Sequence, residues 1–205
     1  MRTEDIYGAP VRLAPDAEGT LEGSDGRYEK RLSDLAGLYR DDAAYARALE
    51  ADQGEPVYWV ESSTPSQVAG ALTIGVSCLR PGTIGNEFAM TRGHIHRTVG
   101  AAELYYGLSG RGVMLMDALD GDSRAVEITP GVAVHVPGGW IHRSVNVGDE
   151  LFTTLFCYAT DAGQDYDVIA HAGGMRSLIV RGAGGAWAQV PNPDHRGYRS
   201  GETDE

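Results

Sequence analysis

Gly93-His94-Ile95-His96, then Glu103 seven residues on, then Pro137-Gly138-Gly139-Trp140-Ile141-His142-Arg143-Ser144-Val145-Asn146 decide how this chain is read. Three imidazoles and one carboxylate are a ligand set that a divalent transition metal takes in a catalytic site. Both segments alternate apolar and polar residues, the pattern of half-buried strands. His94 and His96 are two apart, so on one strand they share a face. A turn at Thr98-Val99-Gly100 would return Glu103 as part of the next strand. The spacing therefore predicts four ligands, His94, His96, Glu103 and His142, on the inner wall of one small β-barrel, with coordination positions left open for water or substrate.

Working outward, residues 57–180 read as repeated short strands. The candidates are Ala71–Leu79, Asn86–Thr91, Ala102–Ser109, Gly112–Met116, Ala125–Ile128, Ala133–Val136, Arg143–Asn146, Phe152–Tyr158 and Ser177–Arg181, with Val57–Val60 before them. Turn signals such as Arg80-Pro81-Gly82, Asp120-Gly121-Asp122 and Thr129-Pro130-Gly131 separate them. This spacing predicts an all-β sandwich or barrel. Residues 1–56 read as an extended arm, with a short helical turn capped at Ser33-Asp34 and a helix opened by Asp41-Asp42 that shows Ala44, Tyr45, Ala48 and Leu49 on one face. Residues 57–190 form the barrel, and residues 191–205 a polar, loose tail.

The chain has 205 residues, enough for one domain with a sizeable core plus an extension. Its 28 glycines suit many tight turns better than a helical bundle. The net charge of −12 argues against nucleic acid and anionic membranes as partners, though it leaves room for a small anion bound through local charge. Lys30 is the sole lysine, so a phosphate site would use arginine, backbone N–H groups, hydroxyls or the metal. Cys78 and Cys157 read as buried, reduced thiols, and Met1–Asp5 lacks a secretory pattern, which together suggest a cytoplasmic protein.

The second segment matches Gly-x5-Pro-x-Gly-x2-His-x3-Asn in full, through Gly131, Pro137, Gly139, His142 and Asn146, and so resembles the cupin superfamily. The first segment departs from the generic pattern, since six residues separate His96 from Glu103. With Arg31–Leu35, Pro81–Phe88, Trp140–Glu150 and Tyr158–Tyr166, it is similar to the cupin-type phosphoglucose isomerases, in order from about Glu18 to Asn192. The resemblance implies a cupin jelly-roll barrel, a homodimer, a sugar-phosphate substrate, and interconversion of glucose 6-phosphate and fructose 6-phosphate. It also implies a divalent metal on His94, His96, Glu103 and His142, Fe2+ being the commonly associated ion and Ni2+, Zn2+ and Mn2+ the alternatives. Substrate contacts fall on Ser77 (Thr in relatives), Thr91, Arg92 (commonly Lys), Gly93, Tyr105 and Tyr158. Gln164 stands where relatives often carry His; it can hydrogen-bond a hydroxyl but cannot act as an acid or base near neutral pH.

Aldose–ketose isomerisation moves hydrogen between C1 and C2 of the open-chain sugar. Glu103 is the one ligand that is also a plausible base, with Tyr105 on the same face as proton relay or anchor and Tyr158 as a further hydroxyl. A metal-assisted hydride shift would leave Glu103 as ligand only, and both routes remain open. His135, His171 and His195 read as non-ligands, Trp140 as packing, and Glu87 and Arg143 as structural ion-pair members. The rival readings are another metal-dependent cupin enzyme, such as an Fe(II) dioxygenase or a different sugar isomerase or epimerase, and a non-catalytic sugar-binding cupin.

Overall fold

The computed structural model describes residues 2–3 and 8–198. Its strands, in chain order, are β1 (Ala14–Pro15), β2 (Leu21–Glu22), β3 (Gly26–Arg31), β4 (Pro56–Ser63), β5 (Leu72–Leu79), β6 (Thr83–Ile84), β7 (Glu87–Phe88), β8 (Glu103–Ser109), β9 (Gly112–Ala118), β10 (Ser123–Ile128), β11 (Ala133–Val136), β12 (Trp140–Asn146), β13 (Phe152–Ala159), β14 (Ser177–Arg181) and β15 (Trp187–Pro191). A six-stranded sheet, β11-β8-β13-β5-β4-β3, faces a three-stranded sheet, β10-β9-β12, and a four-stranded sheet, β15-β14-β7-β6, completes the wall. The pairings are antiparallel, and the whole is an all-β jelly-roll barrel of the cupin kind.

β9 explains why one chain needs two cores. Its residues Gly112–Asp117 are all buried, which is possible only with apolar matter on both faces. Met114 and Met116 enter the barrel interior with Val60, Tyr105, Phe152 and Phe156. Val113 and Leu115 point the other way, into a cluster with Leu35, Tyr39, Met90, Ile141, Val145 and Ile179. β12 divides in the same manner, so that Ile141 and Val145 face the second cluster and His142 and Ser144 face the barrel. Asn146, the last residue of the second motif, donates to the Leu79 and Glu150 carbonyls at 2.8 Å each and accepts from Gly148 N, tying down the β12–β13 turn.

The helix Asp42–Ala51 is capped by the Asp41 carboxylate, which accepts from Ala44 N at 2.8 Å. It buries Ala44 and Tyr45, whereas Leu49, expected on the same face, stays exposed. The helical turn expected to be capped at Ser33-Asp34 is a 3-10 helix, Leu32–Leu35, with Arg31 at its N-cap, so Ser33 and Asp34 lie inside it; the Asp34 carboxylate accepts from Arg31 N. The arm adds β3 to the edge of the large sheet.

Two expectations need correction. The strand Asn86–Thr91 shrinks to β7, and His94 and His96 sit on no ladder of their own. Gly82, Gly85 and Gly93, all at positive φ, turn the chain too often there for a continuous strand. Single bridges hold the segment instead: Met90 to Val145, His94 to His142, and Ile95 to Asp165. Nor is the tail loose where it is described. Asn192 is buried and donates to the Gly173 and Met175 carbonyls, and the Tyr198 hydroxyl donates to the Asp117 carboxylate. Buried hydrogen-bond partners override the polar composition that suggested a loose tail. Residues 199–205 of that tail, and 1 and 4–7 of the arm including part of the Met1–Asp5 stretch, lie outside the described residues.

Candidate active site

Three separate pieces of chain bring the His and Glu side chains together. His94 and His142 are clamped back to back by paired backbone hydrogen bonds, His94 N to His142 O at 3.1 Å and His142 N to His94 O at 2.9 Å. The turn expected at residues 98–100 closes through Ala101 N to Thr98 O at 2.9 Å, and Glu103 then opens β8. One donor atom from each of His94, His96, Glu103 and His142 lies within 4.8 Å of the others. Glu103 Oε2 is 3.8, 3.3 and 2.9 Å from the Nε2 atoms of His94, His96 and His142.

The orientation of the rings says what the cluster is for. The Nδ1 atoms of His96 and His142 lie 3.0 and 3.1 Å from the carbonyls of Ala101 and Trp140, so each ring uses its Nδ1–H outward. Each Nε2 is left turned inward at a carboxylate. The buried Nε2 atoms of His94 and His96 have no hydrogen-bond partner. Lone pairs facing a carboxylate are satisfied either by a shared proton on an imidazolium or by a cation in their midst. The first alternative accounts for the electrostatics of the bare cluster. Burial would raise the Glu103 carboxyl, but the hydrogen bond with His142 and the close approach of the His96 and His94 imidazoles outweigh it and hold it down to about 2. Burial and the neighbouring His142 lower His94 to about 3, so it is neutral. His96 is lowered by burial but raised on balance by Glu103. Three nitrogens and one anionic oxygen converging in a buried space fit a divalent transition metal.

In front of the cluster lies a pocket that is partly open to solvent. Ser77, Thr91, Arg92, Gly93, Tyr105, Tyr158 and Gln164 all line it, together with His94 and Glu103. Tyr105 and Tyr158 come from β8 and β13, where Tyr158 lies opposite Glu103. Burial, reinforced by the Glu103 charge, raises both phenols. Gln164 Oε1 accepts from the Tyr166 hydroxyl, and the Arg92 guanidinium stacks on the Tyr166 ring at 5.5 Å.

Tyr28, Tyr58, Ser144 and Tyr166 also line the pocket and were not singled out in the sequence. Ser144 was accessible to reasoning, because it lies two residues after His142 on the same strand face. Tyr28 and Tyr58 reach the site through pairing of β3 and β4, which no local pattern announces. His135 is exposed, His171 ends the short helix Asp167–His171, and His195 bonds the Gly174 carbonyl; none joins the cluster. Glu87 and Arg143, expected as ion-pair members, are both buried but make no salt bridge among the described residues: Glu87 accepts from Arg40 N, and Arg143 donates to the Arg92 carbonyl and Met90 Sδ.

Fold and cluster define a small antiparallel β-barrel protein with a His3Glu centre at the foot of a polar, tyrosine-rich pocket. A family model described as glucose-6-phosphate isomerase (GPI) matches residues 29–196. The chain is 46% identical over 178 residues to a glucose-6-phosphate isomerase of Sinorhizobium medicae, covering 87% of this chain and 83% of that one. It is 38% identical over 174 residues to a glucose-6-phosphate isomerase of Thermococcus litoralis, covering 84% and 90%. A solved oxalate oxidase superposes on 53% of this chain and 54% of its own, with a TM-score of 0.44 and 17% identity. The chain belongs to the glucose-6-phosphate isomerase family.

Proposed function

We infer that this protein interconverts glucose 6-phosphate and fructose 6-phosphate at a divalent cation held by His94, His96, Glu103 and His142. The observation that carries the reading is the inward set of three imidazole Nε2 atoms around Glu103 Oε2, at the base of a solvent-open pocket lined by hydroxyls, Arg92 and Gln164. A cation there supplies Lewis acidity at the C1 and C2 oxygens of the open-chain sugar. Fe2+ is the ion proposed, with Ni2+, Zn2+ and Mn2+ as competent substitutes.

The protein's own groups divide the work by charge. Glu103 is anionic at neutral pH, and Tyr105 and Tyr158 stay protonated, so the tyrosines act as donors to sugar oxygens. Thr91, Ser77, the Gly93 N–H and Arg92 receive the phosphate at the other end of the pocket. Gln164, its carbonyl taken by Tyr166, keeps its N–H donors for a sugar hydroxyl. In one route Glu103 takes the C2 proton and returns it to C1, while the O2 hydroxyl proton passes to O1. In the second route hydrogen passes from C2 to C1 as hydride and the O2 hydroxyl proton passes to O1, while Glu103 remains a ligand; a carboxylate bound to a cation is a weak base, which is the argument for this route.

We place the protein in the cytoplasm, where sugar phosphates are found, and read it as a homodimer acting on a small molecule without nucleic-acid or membrane partners. Leu72, Leu104 and Tyr106, exposed on the outer face of the six-stranded sheet, are apolar surface that a second copy would cover. Among the described residues no helix is long and apolar enough to cross a membrane. A coupled assay on fructose 6-phosphate with and without chelator tests the reading. Turnover that chelator abolishes and added metal restores is the expected result; turnover indifferent to chelator sinks the metal role, and no turnover sinks the activity. Running the reaction in deuterated water separates the routes, since only proton transfer brings solvent deuterium onto carbon.

A further inference from the structure

Arg143 follows His142 on β12, and its side chain leaves the barrel by strand alternation, entering the core on the far side of the wall with Ile141 and Val145. Only 5% of the residue is exposed. Its Nη2 donates to the Arg92 carbonyl at 2.8 Å and its Nη1 to Met90 Sδ at 2.9 Å, while Nε has no partner. A buried guanidinium whose bonds go to a carbonyl and a sulfur is costly unless something compensates its charge. The carboxylates that act on it, Glu87 and Asp117, do so through space, without a hydrogen bond to it; Glu87 accepts from Arg40 N and Asp117 from Arg176 N and Tyr198.

The gripped carbonyl belongs to a trans peptide, so the Gly93 N–H on the same peptide points the opposite way. Gly93 lies flat on β12: at φ +73°, a Cβ there would sit 2.8 Å from the His142 carbonyl oxygen and 2.9 Å from Arg143 Cβ. Among the described residues the Gly93 N–H has no protein acceptor, and Gly93 lines the pocket beside Thr91. Thr91 Oγ1 accepts from Ser144 N at 3.1 Å, which leaves its hydroxyl proton to donate elsewhere.

We propose that Arg143 is a positioning residue for the substrate's phosphate: from behind the wall it holds the Arg92–Gly93 peptide so that the Gly93 N–H faces the pocket. The proposal rests on the sugar-phosphate reading above. It assigns a role to a side chain that touches neither substrate nor metal.

The test uses full-length, metal-loaded protein as wild type, R143M and R143K, with inorganic phosphate binding followed by calorimetry and fructose 6-phosphate turnover by coupled assay. R143M is expected to raise KM about tenfold or more, the loss of one charge-assisted hydrogen bond, and to weaken phosphate binding in parallel. Metal content and kcat stay near wild type, and R143K, which keeps charge without the fork, recovers part of the loss. If R143M does not fold, R143K against wild type carries the same comparison. A folded variant with unchanged KM and phosphate affinity overturns the proposal, as does one that loses kcat and metal with phosphate affinity intact. Wild-type turnover with Arg143-independent phosphate binding refutes this inference alone. Arg143-dependent phosphate binding without turnover refutes the isomerase reading and leaves the phosphate role standing.

Discussion

Replacing Glu103 by Gln changes one oxygen for an NH2 group in a residue that is 3% exposed. Shape is conserved, so core packing is untouched. The bare site gains a donor for one inward Nε2 lone pair, and the fold should hold without metal. A bound cation, in contrast, loses its single anionic ligand. Two opposite unit charges 4 Å apart interact by about 4 kcal/mol at an effective dielectric near 20. That corresponds to roughly a thousandfold in affinity, a lower bound for a dication in direct contact. If Glu103 is also the base, a further loss of about 10²–10⁴-fold in kcat follows for protein saturated with metal. The assay is metal per chain by mass spectrometry after dialysis against graded chelator, followed by fructose 6-phosphate turnover at saturating metal and a melting curve by circular dichroism. Unaltered metal affinity in E103Q would refute the ligand assignment. Full turnover with metal restored would refute the base role and leave the hydride route.

His142→Ala should abolish metal retention and most activity, and should also lower the metal-free melting temperature, because it leaves a cavity and strips the buried Glu103 carboxylate of its hydrogen bond; activity assay and calorimetry check both. Q164H supplies a titratable ring in the pocket, so kcat/KM should gain a pH-dependent limb near the imidazole range; an unchanged pH profile and rate would make position 164 incidental. His94 is lowered from 6.5 to about 3 in the native protein, so the unfolded chain binds more protons. Its contribution to stability is full above about 6.5 and is lost as pH falls toward 3. In metal-free protein the drop in melting temperature between pH 7 and pH 4 should therefore shrink in H94Q, and an equal drop in both proteins would contradict the buried neutral ring.

How much was legible depended on whether the signal was local. His142, Gly139 and Asn146 are tied to one turn and one strand, and their spacing carries their geometry. The same holds for Glu103, whose return after the turn at residues 98–100 was read from two short segments. The extended piece holding His94 and His96 was placed correctly but named wrongly. Period-two spacing gives two residues a common face whether or not a ladder forms, and here single bridges to His142 and Asp165 do the holding. Residues 192–198 misled for the opposite reason, because polar composition carries no information about a partner such as Asp117 that lies about eighty positions away in the chain.

The sequence by itself determined the chemistry available: a His3Glu set, a β-barrel to carry it, and hydroxyls, an arginine and a glutamine beside it. These follow from residue type and short-range periodicity, which survive without knowledge of the fold. Only the tertiary structure decided which nitrogen of each imidazole faces inward, since that is set by the Ala101 and Trp140 carbonyls. It alone brought Tyr28 and Tyr58 to the pocket and Arg143 behind the Arg92–Gly93 peptide. Those placements arise from strand pairing and burial between distant segments, where neither end of a contact encodes the other.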